Sequence, residues 1–74
     1  LEISSKEYDL LLYFMENKFR AVSREQVLDS VWGINYFGSA RVVDNTLRRL
    51  RNKMTKLKIQ TIYGYGYRFE GVND

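Results

Sequence analysis

A single change of period limits what this chain can become. Up to Lys56–Lys58 the apolar residues recur at helical spacing, and beyond that point they alternate. A chain of 74 residues has room for one hydrophobic core. The expected layout is therefore α+β: helices first, a β-hairpin last, and one domain over residues 1–74.

Paired capping signals place the helices. Ser4 with Glu7 three residues later makes a capping box, and Ile3 with Tyr8 a hydrophobic staple, so the first helix is predicted to begin at Ser5. Tyr8, Leu11, Leu12 and Met15 fit one buried stripe. Leu10, Tyr13 and Phe14 fall outside it, which leaves the helix apolar nearly all round, as if covered on two sides. Ala21–Val22 leaves room for a very short strand. Ser23 with Gln26 repeats the capping box, Val22 with Val27 the staple, and a second helix is predicted from about Arg24 to Trp32, with Gly33 as a left-handed cap. Residues 34–38 form a loop bounded by glycines, whose rings at Tyr36 and Phe37 either fold back on the core or face a protein partner.

A third helix is predicted from about residue 40 to 54, with Ser39 as N-cap. At 100° per residue, Val43, Leu47, Leu50 and Met54 cluster on one face. Arg41, Asn45, Arg48 and Asn52 lie opposite, with Arg49 and Val42 on one flank and Arg51 and Asp44 on the other. The hairpin follows over residues 59–69, with Gly64-Tyr65-Gly66 as its turn, Ile62, Tyr67 and Phe69 facing inward, and a frayed end from Gly71.

Charge is distributed unevenly over this layout. Between Arg41 and Lys58 stand seven basic residues and one acid, whereas the remaining residues sum to −3. A concentrated cation on a mildly acidic body is the pattern of a protein that binds a polyanion on one face. A solvated helix face is the plain alternative, but such faces interleave glutamate, and Arg48 to Lys58 contains no acid. Asp44 stands four residues before Arg48, a spacing that allows a pair serving either as a small helix stabiliser or as a device that holds Arg48 at a base edge.

The chain has neither cysteine nor histidine, so disulfides, thiolate or imidazole metal sites and imidazole acid-base chemistry are excluded. No nucleophile with a base and no carboxylate pair can be assembled, and neither an enzyme nor a cofactor or metal is expected. No apolar run is long enough to span a bilayer, so no membrane partner is expected and the chain reads as cytoplasmic.

Two short helices separated by a turn, the second cationic on its outer face, form a helix-turn-helix, and a hairpin after it forms a wing. A major groove of double-stranded DNA admits an α-helix, and arginine and asparagine make paired hydrogen bonds to guanine and adenine edges. Asn45, Arg48 and Arg49 are the base-reading candidates. Arg41, Arg51, Lys53, Lys56 and Lys58 suit phosphates. The alternative is a winged-helix module that binds protein partners and uses its basic face for solubility.

The same residues resemble the C-terminal effector domains of OmpR/PhoB-type response regulators. The resemblance rests on Ile3-Ser4 with Glu7-Tyr8 and Leu11-Leu12, on Val22-Ser23-Arg24-Glu25 with Val31-Trp32-Gly33, on Arg41-Val42-Val43-Asp44 with Leu47-Arg48-Arg49-Leu50-Arg51, and on Thr61-Ile62 with Gly64-Tyr65-Gly66-Tyr67-Arg68-Phe69. It implies a winged helix-turn-helix whose short strand joins the wing, preceded by an N-terminal sheet and a receiver domain that lie before Leu1. It further implies a dimer on DNA, Trp32, Arg41 and Thr61 as phosphate contacts, and Asn45, Thr46, Arg48, Arg49 and Arg51 as the DNA-facing part of the third helix. In some relatives the loop carrying Asn35, Tyr36 and Phe37 touches RNA polymerase. Three positions depart from the pattern: Tyr63 stands where an arginine often enters the minor groove, Thr46 where histidine or an aromatic is frequent, and the connection to the wing is short.

Overall fold

The computed structural model describes residues 2–73, so Leu1 and Asp74 lie outside it. Helix α1 (Ser5–Glu16) is followed by β1 (Ala21–Ser23), a second helix, α3 (Arg41–Lys53), β2 (Leu57–Ile62) and β3 (Gly66–Val72). The second helix, α2 (Arg24–Val27), runs on through a wider π-helical turn, Leu28–Trp32. Both capping boxes form in full, with Ser4 and Ser23 accepting from the amides of Glu7 and Gln26 and receiving their side chains in return. Gly33 ends the π-turn at φ 102°, ψ 152°, a positive φ outside the left-handed helical cap expected there.

The three strands make one antiparallel sheet in the order β1-β3-β2. Gly66 sits in the strand rather than in the turn, which is formed by Tyr63-Gly64-Tyr65. An added Cβ at Gly66 would lie 2.0 Å from the Val22 carbonyl oxygen, so glycine is what lets β1 pair so closely. Pairing Ile59 with Phe69 and Thr61 with Tyr67 puts Ile59 on the core side and turns Ile62 to the other face. Ile62 was expected to face inward and does not: residues paired directly across the ladder share a face, and the partners of Tyr67 and Phe69 are Thr61 and Ile59. Residues 71–73, expected to fray, are paired: β3 continues through Gly71 and Val72, and the Asn73 amide donates to the Lys56 carbonyl at 2.7 Å, while Asp74 lies outside the described residues.

Phe14 is the hub of the core. Its ring meets Tyr67 edge-on at 6.4 Å and Phe69 at 6.5 Å, while Leu10, Val27, Val43, Leu47 and Leu50 close around it. The buried face of α1 is thus Glu7, Leu10 and Phe14, with Leu11 partly covered. Tyr8, Leu12 and Met15 of the expected stripe are exposed instead. The stripe turned because its deepest member at the N-terminal end is a carboxylate, which a count of apolar residues passes over. Met54 of the α3 stripe is only partly buried, while Val43, Leu47 and Leu50 are fully so.

Helix α3 begins later than Ser39 suggests. Ala40 occupies the cap, and the Ser39 hydroxyl accepts the Arg41 amide at 2.9 Å. Phe19 holds φ 69°, a left-handed conformation costly for a bulky residue, in the turn that delivers β1 to the sheet.

Candidate nucleic-acid interface

The helical wheel of α3 becomes three lanes once the neighbouring elements are in place. The core lane is buried and fixes which side of the helix faces out. Both flanks are then tied down by polar contacts.

On the α1 side, the Glu7 carboxylate is 2% exposed and takes Lys53 Nζ at 2.7 Å and Arg49 Nε at 3.4 Å. The Lys53 hydrogen bond and the Ser4 amide together hold its pKa below the ordinary carboxylate value. Thr46 is 1% exposed and its hydroxyl accepts from the Arg49 guanidinium at 3.3 Å. The expectation that Thr46 faces DNA therefore fails, because its side chain points between α3 and the core. Arg49 is exposed but turned along the helix flank toward α1.

The wing side is anchored by Asp44. It receives both Nε and a terminal nitrogen of Arg24, at 3.2 and 2.7 Å, and the Tyr67 hydroxyl at 2.5 Å. It does not pair with Arg48 as the i, i+4 spacing suggested, since the Arg24 fork offers two directed bonds where an exposed pair within the helix offers one. Burial, followed by the Asp44 carboxylate, pushes the Tyr67 phenol up to about 12. Arg51 donates to the Ile59 carbonyl and lies 5.8 Å from the Tyr67 ring centroid. It is a strut between α3 and β2, in a position expected to hold a phosphate contact.

Between these anchored flanks runs an exposed lane of Arg41, Asn45, Arg48 and Asn52. Among the described residues, Arg41, Arg48, Lys56 and Lys58 have no ion-pair partner. Of the base-reading candidates, Asn45 and Arg48 stand in this lane and Arg49 stands beside it. Asn52 shares the lane but was not among the candidate residues, although the wheel had placed it there. Lys56 and Lys58 are exposed on the connection to the wing, Thr61 is exposed on β2, and Tyr63 at the wing tip is 93% exposed, so it does not belong to the core.

The two rings of the loop after the second helix sit differently. Tyr36 lies 6.4 Å from the half-buried Trp32 ring. Phe37 is 99% exposed, with Ile34 and Asn35 exposed beside it.

Residues 1–69 match the family described as "Transcriptional regulatory protein, C terminal". The transcriptional regulatory protein CssR of Bacillus subtilis is 56% identical over 68 residues, covering 92% of this chain and 30% of CssR. The crystal structure of the CssR DNA-binding domain superposes with a TM-score of 0.87, over 92% of this chain and 77% of that one. The Klebsiella pneumoniae RstA DNA-binding domain, solved in complex with the RstA box, is 27% identical with a TM-score of 0.82, over 95% of this chain and 74% of that one. Response regulator DrrB of Thermotoga maritima, an OmpR/PhoB homologue, is 35% identical with a TM-score of 0.79, over 95% of this chain and 34% of DrrB. The chain spans about a third of the length of the curated relatives it matches. With its helix-turn-helix, its wing and the match over residues 1–69, this chain belongs to the C-terminal domain family of OmpR/PhoB-type transcriptional regulators.

Proposed function

We propose that this chain binds double-stranded DNA sequence-specifically, as the effector domain of a two-component transcriptional regulator, with α3 in the major groove and the wing on the adjacent backbone. The observation that carries this reading is the exposed lane of Arg41, Asn45, Arg48 and Asn52 on a helix whose flanks are locked to α1 and to the wing. A helix used to read base edges needs side chains free to reach them and a backbone that does not rotate. Arg48 and Asn45 present donors that suit guanine and adenine, and Arg41, Lys56 and Lys58 border them as positioning contacts for phosphates. Thr61 and Tyr63 extend that border along the wing. Trp32, half-buried at the end of the second helix, is a further backbone contact.

The family likeness and the absence, among the described residues, of any helix long and apolar enough to cross a membrane support a regulator working in the cytoplasm, as a dimer on its site. The fully exposed Phe37, with Asn35 and Tyr36 beside it, supports a contact of the loop with RNA polymerase.

The test is selection from a random duplex pool followed by a salt titration on the selected and an unselected duplex. The expected result is enrichment of one sequence and log-log slopes set by the number of phosphates contacted. Weak binding with no sequence enriched would leave a protein-contact module with a basic face as the better account.

A further inference from the structure

The Glu7 cluster does more than join two helices. Its carboxylate sits on α1, yet it draws in two cations that stand one turn apart on the recognition helix, Arg49 and Lys53. Lys53 and the Ser4 amide both bond the Oε1 atom, and Arg49 stands at Oε2. The second, Arg49, is held by Glu7 and by the Thr46 hydroxyl one turn back on its own helix, so its fork points along the flank rather than outward. Both cations keep about half to a third of their side chains exposed, which leaves them within reach of a polyanion were the carboxylate not there.

We propose that Glu7 is a specificity-determining positioning residue, which withdraws Arg49 and Lys53 from the DNA face and leaves base discrimination to Asn45, Arg48 and Asn52. The inference rests on the reading of α3 as the DNA-binding helix. Cations that reach phosphates strengthen binding to every sequence alike, whereas discrimination is the difference between the right sequence and the rest. Neutralising two of them from behind lowers the sequence-independent part and leaves the base-reading lane intact.

The experiment is a salt titration on a 20-base-pair duplex of random sequence, with the parent chain and with Glu7→Gln. Glutamine keeps the capping-box acceptor and shape while removing the charge. Each cation released to a phosphate adds about 0.9 to the slope of log K against log salt, so Glu7→Gln is expected to steepen it by roughly 1 to 2. Adding Arg49→Gln to that variant removes about half of the gain. In the parent, Arg49→Gln and Lys53→Gln each leave the slope unchanged, and this arm stands even where Glu7→Gln folds poorly. A slope that Glu7→Gln does not change, or one that falls by about 0.9 on Arg49→Gln in the parent, overturns the inference while leaving the DNA-binding reading in place. A parent chain with no salt-dependent duplex binding overturns both.

Discussion

Tyr67→Phe isolates one of the two polar contacts described between the wing and α3. The phenylalanine ring keeps the packing against Phe14 and loses only the hydroxyl that donates to Asp44 at 2.5 Å. A hydrogen bond to a charged group contributes about 1.5–3 kcal/mol. Asp44 retains both bonds from Arg24 and is 39% exposed, so water replaces part of the loss. The expected destabilisation is therefore about 1–2 kcal/mol, which in a domain of this size lowers Tm by roughly 5–15 °C. The pH dependence gives an independent check. Folding raises the phenol pKa from 10.0 to about 12, so the folded state holds its proton more tightly. The contribution is complete below pH 10 and is lost as pH rises through about 12. Thermal melts followed by circular dichroism from pH 7 to 11.5 should show the gap between parent and Tyr67→Phe narrowing above pH 10. A variant melting within a degree of the parent, or a gap that stays constant with pH, would refute the argument.

Two backbone positions give further expectations. Phe19→Gly relieves a left-handed residue costing about 1–2 kcal/mol against about 0.5–1 kcal/mol of added chain entropy, so urea unfolding should show a gain of roughly 0.5–1 kcal/mol, and a loss would mean that the exposed ring packs productively. Gly66→Ala drives a methyl group into the Val22 carbonyl and should cost about 3 kcal/mol or more, with loss of amide protection at β1; a midpoint close to that of the parent would show that β1 is not held as tightly as its pairing implies.

Local rules made much of this fold readable. Ser4 with Glu7 and Ser23 with Gln26 act within four residues, so their capping boxes are legible from spacing alone. The same holds for Val43, Leu47 and Leu50, whose stripe is unambiguous because the opposite face is so polar. What the chain concealed are contacts between elements distant in sequence. Glu7 reads as a cap, and its second role needs Lys53, 46 positions away. Asp44 and Arg48 are adjacent on the helix, but Arg24, 20 positions back, offers the better geometry. Arg51 looks like one more cation on a basic helix until β2 places the Ile59 carbonyl beside it. Thr46 lies about 70° from the centre of the core lane on the helical wheel, where burial depends on how closely α1 approaches. The exposure of Arg41, Asn45, Arg48 and Asn52 was legible because they lie opposite the core, and the core was the legible part.

The central claim is that this lane reads bases, and Arg48→Ala tests it most directly. Affinities of parent and variant are measured on the selected duplex and on a set in which each base pair is changed in turn. The account predicts a loss of about 1–3 kcal/mol on the selected duplex, with discrimination relaxed at one base pair and retained at the others. An equal loss on every duplex, with discrimination intact at all positions, would place Arg48 on a phosphate and contradict the account.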